Sequence, residues 1–151
     1  ELNAKDMGVD HQIDTYFNCE SGRLKLRKGN IENSLIYYQR DNQAGPKESQ
    51  VVLEKLSLDN NLRSVLAASH GVKVEVDKLR NIYFIDNVKF HIDEVKELGS
   101  FVEIEAIDSD GSFDLETLND QCSKYIELFG IEKENLIQCS YSDLLLQLID
   151  N

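Results

Sequence analysis

The sequence predicts an α+β protein: an antiparallel eight-stranded β-barrel formed by a meander of short strands, with flanking helices. Three observations predict this class. Residues 14–108 break into short alternating segments separated by turn signals, residues 112–149 carry helical periodicity, and the one proline, Pro46, falls between strands rather than inside one. At 151 residues and 41% hydrophobic content the chain is long enough to enclose a core, and its size matches a single domain, residues 1–151.

The strands follow in order. Residues 14–18, 23–28, 34–40 and 50–56 precede a helical insertion, and residues 72–79, 81–85, 88–93 and 101–107 follow it. Ser21-Gly22, Gly29-Asn30, Asp86-Asn87, Leu98-Gly99 and Asp110-Gly111 mark the turns. The insertion, residues 59–69, places Leu62, Val65 and Leu66 on one helical face and stops before Gly71. A second helix, residues 113–129, sets Leu115, Leu118, Cys122, Tyr125, Ile126 and Phe129 on one stripe and ends at Gly130. The last helix runs from Ser142, as N-cap, to Ile149 and buries Leu144, Leu145 and Leu148.

Charge narrows the partners. A net charge of -12 and a pI near 4.6 argue against a nucleic-acid surface, which would present a basic face. Yet five of the sixteen Lys and Arg residues fall between Arg23 and Arg40, which suits an anionic small molecule held locally. No apolar run is long enough to span a bilayer and no secretory signal opens the chain, so a cytoplasmic protein without a membrane partner is expected. Cys19, Cys122 and Cys139 are widely spaced and form no Cys-x-x-Cys motif; each reads as a small buried hydrophobe.

Three segments carry chemistry. Alternate residues of a strand share a face, so Arg23, Lys25 and Arg27 project together, which is unfavourable unless anions neutralise them. The alternative is a solvated basic outer face. Glu103 and Glu105 likewise share a face, and hard divalent ions such as Mg²⁺ use such oxygen ligands together with substrate phosphates. Lys89, His91 and Asp93 form a third polar set against Val88, Phe90 and Ile92. A barrel covered by helices would turn such apolar residues outward and the polar ones inward. Lys78 and Arg80 share parity with Val72, Val74 and Val76, and Arg40 with Ile36 and Tyr38, so alternation leaves their direction open. Asp108-Ser109-Asp110-Gly111 lacks the further ligands of a calcium loop and reads as a turn.

The segments His11-Gln12-Ile13-Asp14-Thr15-Tyr16-Phe17, Leu24-Lys25-Leu26-Arg27 and Leu35-Ile36-Tyr37-Tyr38-Gln39-Arg40 resemble the first half of a CYTH, or triphosphate tunnel, domain. Residues 78–83, 89–93 and 98–105 resemble its second half in order and spacing, and Tyr141-Ser142-Asp143-Leu144-Leu145 resembles the tail of the class IV adenylyl cyclase branch. The resemblance covers roughly residues 11–146. It implies a tunnel with a cationic wall for ATP or another triphosphate and a carboxylate wall for Mg²⁺ or Mn²⁺. By position, Arg27, Arg40, Lys78 and Arg80 match phosphate-binding cations, with Arg23, Lys25 and Lys89 as additions. Glu103 and Glu105 match metal ligands. Asp93 matches an acidic position that holds metal, water or the attacking group, and it joins Lys78 and Arg80 as a catalytic candidate. His91 is a wall residue or a proton carrier. The family's Glu-x-Glu-x-Lys strand does not occur between Glu1 and Ile13; the expectation is that the natural start is missing, since a barrel short of a strand would expose an edge, and the alternative is a protein that has lost the strand and half of its metal ligands and retains binding alone. The implied activities are a cyclase, converting ATP to cyclic AMP and pyrophosphate, or a triphosphatase. The alternative is a non-catalytic nucleotide or polyphosphate binder. A homodimer is compatible with either.

Overall fold

The computed structural model describes residues 3–39, 50–132, 136 and 141–150. Among the described residues seven strands form one antiparallel sheet: β1 Lys5–Phe17, β2 Arg23–Lys28, β3 Asn33–Gln39, β4 Gln50–Lys55, β5 Val72–Ile85, β6 Val88–Val95 and β7 Gly99–Ala106. Their order is β4-β3-β2-β1-β5-β6-β7. Three helices accompany them, α1 Leu62–His70, α2 Leu115–Leu128 and α3 Tyr141–Asp150. The predicted strand block and helix block are both present. None of the described helices is long and apolar enough to cross a membrane.

Seven strands replace eight because residues 72–79 and 81–85 are one strand. The break expected at Arg80 does not occur: the side chain turns inward to Asp93, so alternation runs through Val74, Val76, Lys78, Arg80 and Ile82 without interruption. β1 begins nine residues before its predicted start at Asp14. Its inner positions are Asp10, Gln12 and Asp14, all fully buried, and a polar inner face gives no apolar period-two signal. Its register against β5 shifts at Gly8 and again at Tyr16/Phe17, two bulges that bend the sheet's central pair.

Curvature follows from one contact. β2 and β6 lie three strand spacings apart, about 14 Å in a flat sheet. The turn after β2 nevertheless bonds β6, through Glu32 and Lys89 at 2.5 Å. The sheet is therefore curled, with a concave and a convex face.

Convex Val88 and Phe90 are buried beneath Tyr125 of α2, whose ring meets Phe90 edge-on at 4.9 Å. Asp114 caps α2 by accepting from the Thr117 N–H, and Gly130, at φ +68°, lets the chain turn so that Ile131 N–H reaches the Ile126 carbonyl. Leu115 and Phe129, expected in the stripe, are exposed at its two ends. α3 lies against the concave face, where Leu145 packs with Tyr16, Ile36, Tyr38, Val74, Val76 and Val95. Ser142 is in the first turn of α3 rather than at its cap, and Leu148, near the last turn, is exposed. Cys19 is exposed rather than buried and Cys122 is partly buried; Cys139 lies outside the described residues.

Candidate functional site

Registration places the polar side chains. Asp14 pairs with Arg27 across β1–β2 and with Val76 across β1–β5, and Asp10 pairs with Arg80, so inner positions of neighbouring strands line up on one face. Arg23, Lys25 and Arg27 of β2, Lys78 and Arg80 of β5, and Lys89 of β6 all reach that face, Arg27, Lys78, Arg80 and Lys89 being buried. The like charges of β2 are neutralised from within the chain.

Asp14, fully buried, is the centre. Its oxygens accept from Arg27 Nε and Nη2, both at 2.9 Å, and from Lys78 Nζ at 2.6 Å, with Lys25 Nζ at 3.8 Å. Burial opposes its ionisation, but Arg27, Lys78 and Lys25 outweigh burial and hold the carboxyl well below the usual carboxylate range. Burial pulls Lys78 down to about 8 against the attraction of Asp14. Lys25 is also pulled well down by burial and by Arg27; its ammonium lies 5.1 Å from the Tyr38 ring centre and 5.7 Å from that of Tyr16.

A second group forms where β5, β6 and β7 adjoin. Arg80 grips Asp93 with Nε and Nη2, each at 2.8 Å, and Tyr141 of α3 donates its hydroxyl to the same carboxylate at 2.9 Å. Glu103 lies 3.6 Å from Arg80 and 3.3 Å from His91 Nδ1. Burial raises the Glu103 carboxyl, and Arg80 with His91 outweighs it, leaving the group well below its ordinary range. Burial holds His91 below its ordinary pKa, so near neutral pH the ring carries one proton. Donation from Nδ1 to Glu103 places that proton on Nδ1 and leaves an acceptor lone pair on Nε2, which is buried and has no hydrogen-bond partner among the described residues.

That imidazole belongs to a group of side chains that could hold a metal ion. One ligand atom each from His91, Asp93 and Glu103 lies within 4.8 Å of the others. Glu103 keeps 43% of its side-chain surface, so its carboxylate can meet an ion that also binds water and phosphate. Asp93 is the poorest donor of the three, since its oxygens already accept three hydrogen bonds. Glu105 sits two residues on from Glu103, opposite Lys89 in register, and is exposed. The donors present suit a hard divalent cation.

The third group is at the turn between β2 and β3. Glu32 accepts from Lys89 Nζ at 2.5 Å, Gln12 Nε2 at 3.0 Å and Arg27 Nη1 at 3.3 Å, and Lys89 and Arg27, outweighing burial, draw its carboxyl down to about 2. Beside α3, Arg23 bonds Asp143 at 2.6 Å.

All the expected cations except Arg40 thus meet on one face; Arg40 lies outside the described residues. The direction that alternation left open for Lys78 and Arg80 is inward. Sequence reading missed Asp14, Glu32, Tyr141 and Asp10 as members. The available signal was the Asp10, Gln12, Asp14, Tyr16 alternation of β1, which is mostly polar and so resembles a loop.

The CYTH domain family model matches residues 1–141. Among solved structures, the PH1012 protein from Pyrococcus horikoshii OT3 is 24% identical with a TM-score of 0.75, over 95% of this chain and 87% of that one. A conserved hypothetical protein from Pyrococcus furiosus is 18% identical with a TM-score of 0.76, over 94% and 86%. A Vibrio parahaemolyticus protein provisionally named an adenylate cyclase is 16% identical with a TM-score of 0.69, over 95% and 85%. At these identities the likeness shows the fold alone. No curated protein matches the chain.

Proposed function

The chain belongs to the CYTH domain family, and on that premise we propose that its concave face binds a triphosphate and, with a divalent metal ion, processes it. One observation carries the reading: six cations from three strands converge on one face, beside a carboxylate and imidazole group at its β6–β7 side.

A bound triphosphate carries about four negative charges, and a cation at about 4 Å contributes on the order of 4 kcal/mol at an effective dielectric near 20, before desolvation. Several cations are needed, and they must be fixed in advance. Arg27 and Lys78 on Asp14, and Arg80 on Asp93, have that fixity; Arg23, Lys25 and Lys89 extend the row. Arg80 and Lys78 stabilise charge developing on the phosphoryl oxygens, and Asp93 holds Arg80 in line. Glu103, with Glu105 and the free nitrogen of His91, would hold Mg²⁺ or Mn²⁺, which draws charge from the phosphate oxygens when bound.

The face supports two reactions. Attack of the ribose 3′-oxygen on the α-phosphorus of ATP breaks the α–β bridge and gives cyclic AMP and pyrophosphate. Attack of water on the terminal phosphorus releases phosphate. Incubation with ATP, tripolyphosphate or thiamine triphosphate and Mn²⁺ tests the proposal by product; no turnover of any of them removes both enzymes.

Non-catalytic binding is favoured by a different observation, that the cations are already paired within the chain. It predicts thermal stabilisation by tripolyphosphate without product. Glu103→Gln would then matter far less than Arg27→Ala.

A further inference from the structure

We propose that Glu32 is a tethered carboxylate that competes with the incoming phosphate chain for Arg27 and Lys89, and so sets how much negative charge the concave face admits. This rests on the triphosphate reading above and names a residue that tunes its selectivity.

The tether is built by Asp10. This carboxylate is fully buried, and it accepts from the backbone N–H groups of Asn30 at 2.7 Å, Ile31 at 2.9 Å and Glu32 at 2.9 Å, and from Gln12 Nε2 at 2.8 Å. A buried carboxylate beside a cation-lined face thus holds a turn rather than a cation. The turn cannot shift by a residue, because a Cβ at Gly29 would come within 2.5 Å of Asp10 Oδ1. With the backbone of residues 30–32 fixed, the Glu32 side chain is held at the rim of the face and reaches into it.

There it does what a phosphate oxygen would do. One oxygen takes Lys89 and the other takes Arg27 and Gln12, joining the β2–β3 turn to β6. Among the described residues, no other carboxylate lies within 4 Å of Lys89. Asp14 is fully buried and holds two cations by direct bonds, so its departure would strand both. Glu32 keeps 28% of its side-chain surface on an outer turn and can swing to water. Of Asp14 and Glu32, the carboxylates that meet Arg27 among the described residues, Glu32 is the one a ligand can displace.

Titration calorimetry with tripolyphosphate on the whole chain decides this, using the wild type, Glu32→Gln and Glu32→Asp. We expect Glu32→Gln to tighten Kd about tenfold or more, the equivalent of one lost competing ion pair. Glu32→Asp, charged but one methylene too short to span both cations, should tighten it less. Should Glu32→Gln not fold, the sign of the Glu32→Asp change decides alone. A structural Glu32 would lower the unfolding midpoint and leave Kd unchanged or weaker, and that result overturns the competition. Failure of wild type and both folded variants to bind any tripolyphosphate overturns the triphosphate reading and this inference with it. Binding by the wild type with an unmoved or weaker Kd in the variants overturns this inference alone.

Discussion

Asp14→Asn is the sharpest perturbation available, because one carboxylate is bonded by Arg27 and Lys78 and approached by Lys25. At an effective dielectric near 20, unit charges about 3 Å apart attract by about 5–6 kcal/mol, a gross figure that desolvation largely offsets. Removing one partner of a buried pair costs about 3–5 kcal/mol, since the other is left without compensation. Asparagine is isosteric but turns an N–H₂ donor toward other donors, so the upper half of that range applies. For a chain of this size, about 4 kcal/mol lowers the unfolding midpoint by about 10–15 °C. The pH dependence gives a second signature. Lys78, at about 8 with Asp14 present, falls further without it, so the folded variant releases a proton that the unfolded chain keeps. The unfolded state then binds more protons, and the variant gains more stability with rising pH than the wild type, whose Lys78 only begins to titrate as pH approaches 8. The deficit should shrink by about 1 kcal/mol between pH 7 and 8. Urea unfolding at both pH values, followed by circular dichroism, measures this. A deficit below about 1 kcal/mol, or one that grows with pH, would refute the claim that Asp14 neutralises this face.

Three further outcomes are expected. Glu32 has a folded pKa of about 2 against 4.5 unfolded, so its contribution is fully present above pH 4.5 and is lost as pH falls toward 2; it amounts to on the order of 3 kcal/mol, and Asp14 and Glu103 act in the same direction. Urea titrations at pH 7, 4 and 3 should show that loss, with a shallower slope in Glu32→Gln. Phe90→Ala, which removes the ring between Tyr125 and Phe129, should cost about 3–5 kcal/mol and leave tripolyphosphate affinity per folded molecule unchanged. Glu103→Gln should weaken Mn²⁺ binding, read by electron paramagnetic resonance, by about tenfold or more, and Glu105→Gln by less, because Glu105 is exposed and outside the His91 group.

The sequence made the apolar half of the fold legible and the charge partners much less so. β2 carries Leu24 and Leu26 between its cations, and β6 carries Phe90 between Lys89 and His91, so period-two alternation located both strands. The β1 segment before Asp14 resisted the same reading because its inner face is Asp10, Gln12 and Asp14. A strand that faces a charged interior lacks the apolar signal by which strands are found. Cations were visible as a cluster because three of them alternate within six residues. Their carboxylates come from β1, a turn, β6, β7 and α3, and only strand register brings them together. Tyr141 could be read as part of a helix from local pattern, but nothing local says that its hydroxyl meets Asp93 forty-eight residues away.

Charge balance ties these partners to the proposed reaction. Among the described residues, the cations of the face have Asp14, Glu32, Asp93, Glu103 and Asp143 as partners, so the face is near neutral before any ligand arrives. A ligand of about four negative charges therefore cannot enter on the cations' account alone. Either positive charge accompanies it or carboxylates withdraw. Asp14 and Asp93 are fully buried and bonded on both oxygens, so withdrawal there would break the interior. Glu103 and Glu32 are the more accessible pair, and they adjoin different cations, Arg80 and Lys89. On the proposed reading the two adapt differently: Glu103 keeps its charge and recruits a divalent cation, whereas Glu32 gives up Lys89 to the phosphate chain. On that reading metal dependence would follow from the electrostatics of the face as well as from the chemistry of the proposed phosphoryl transfer.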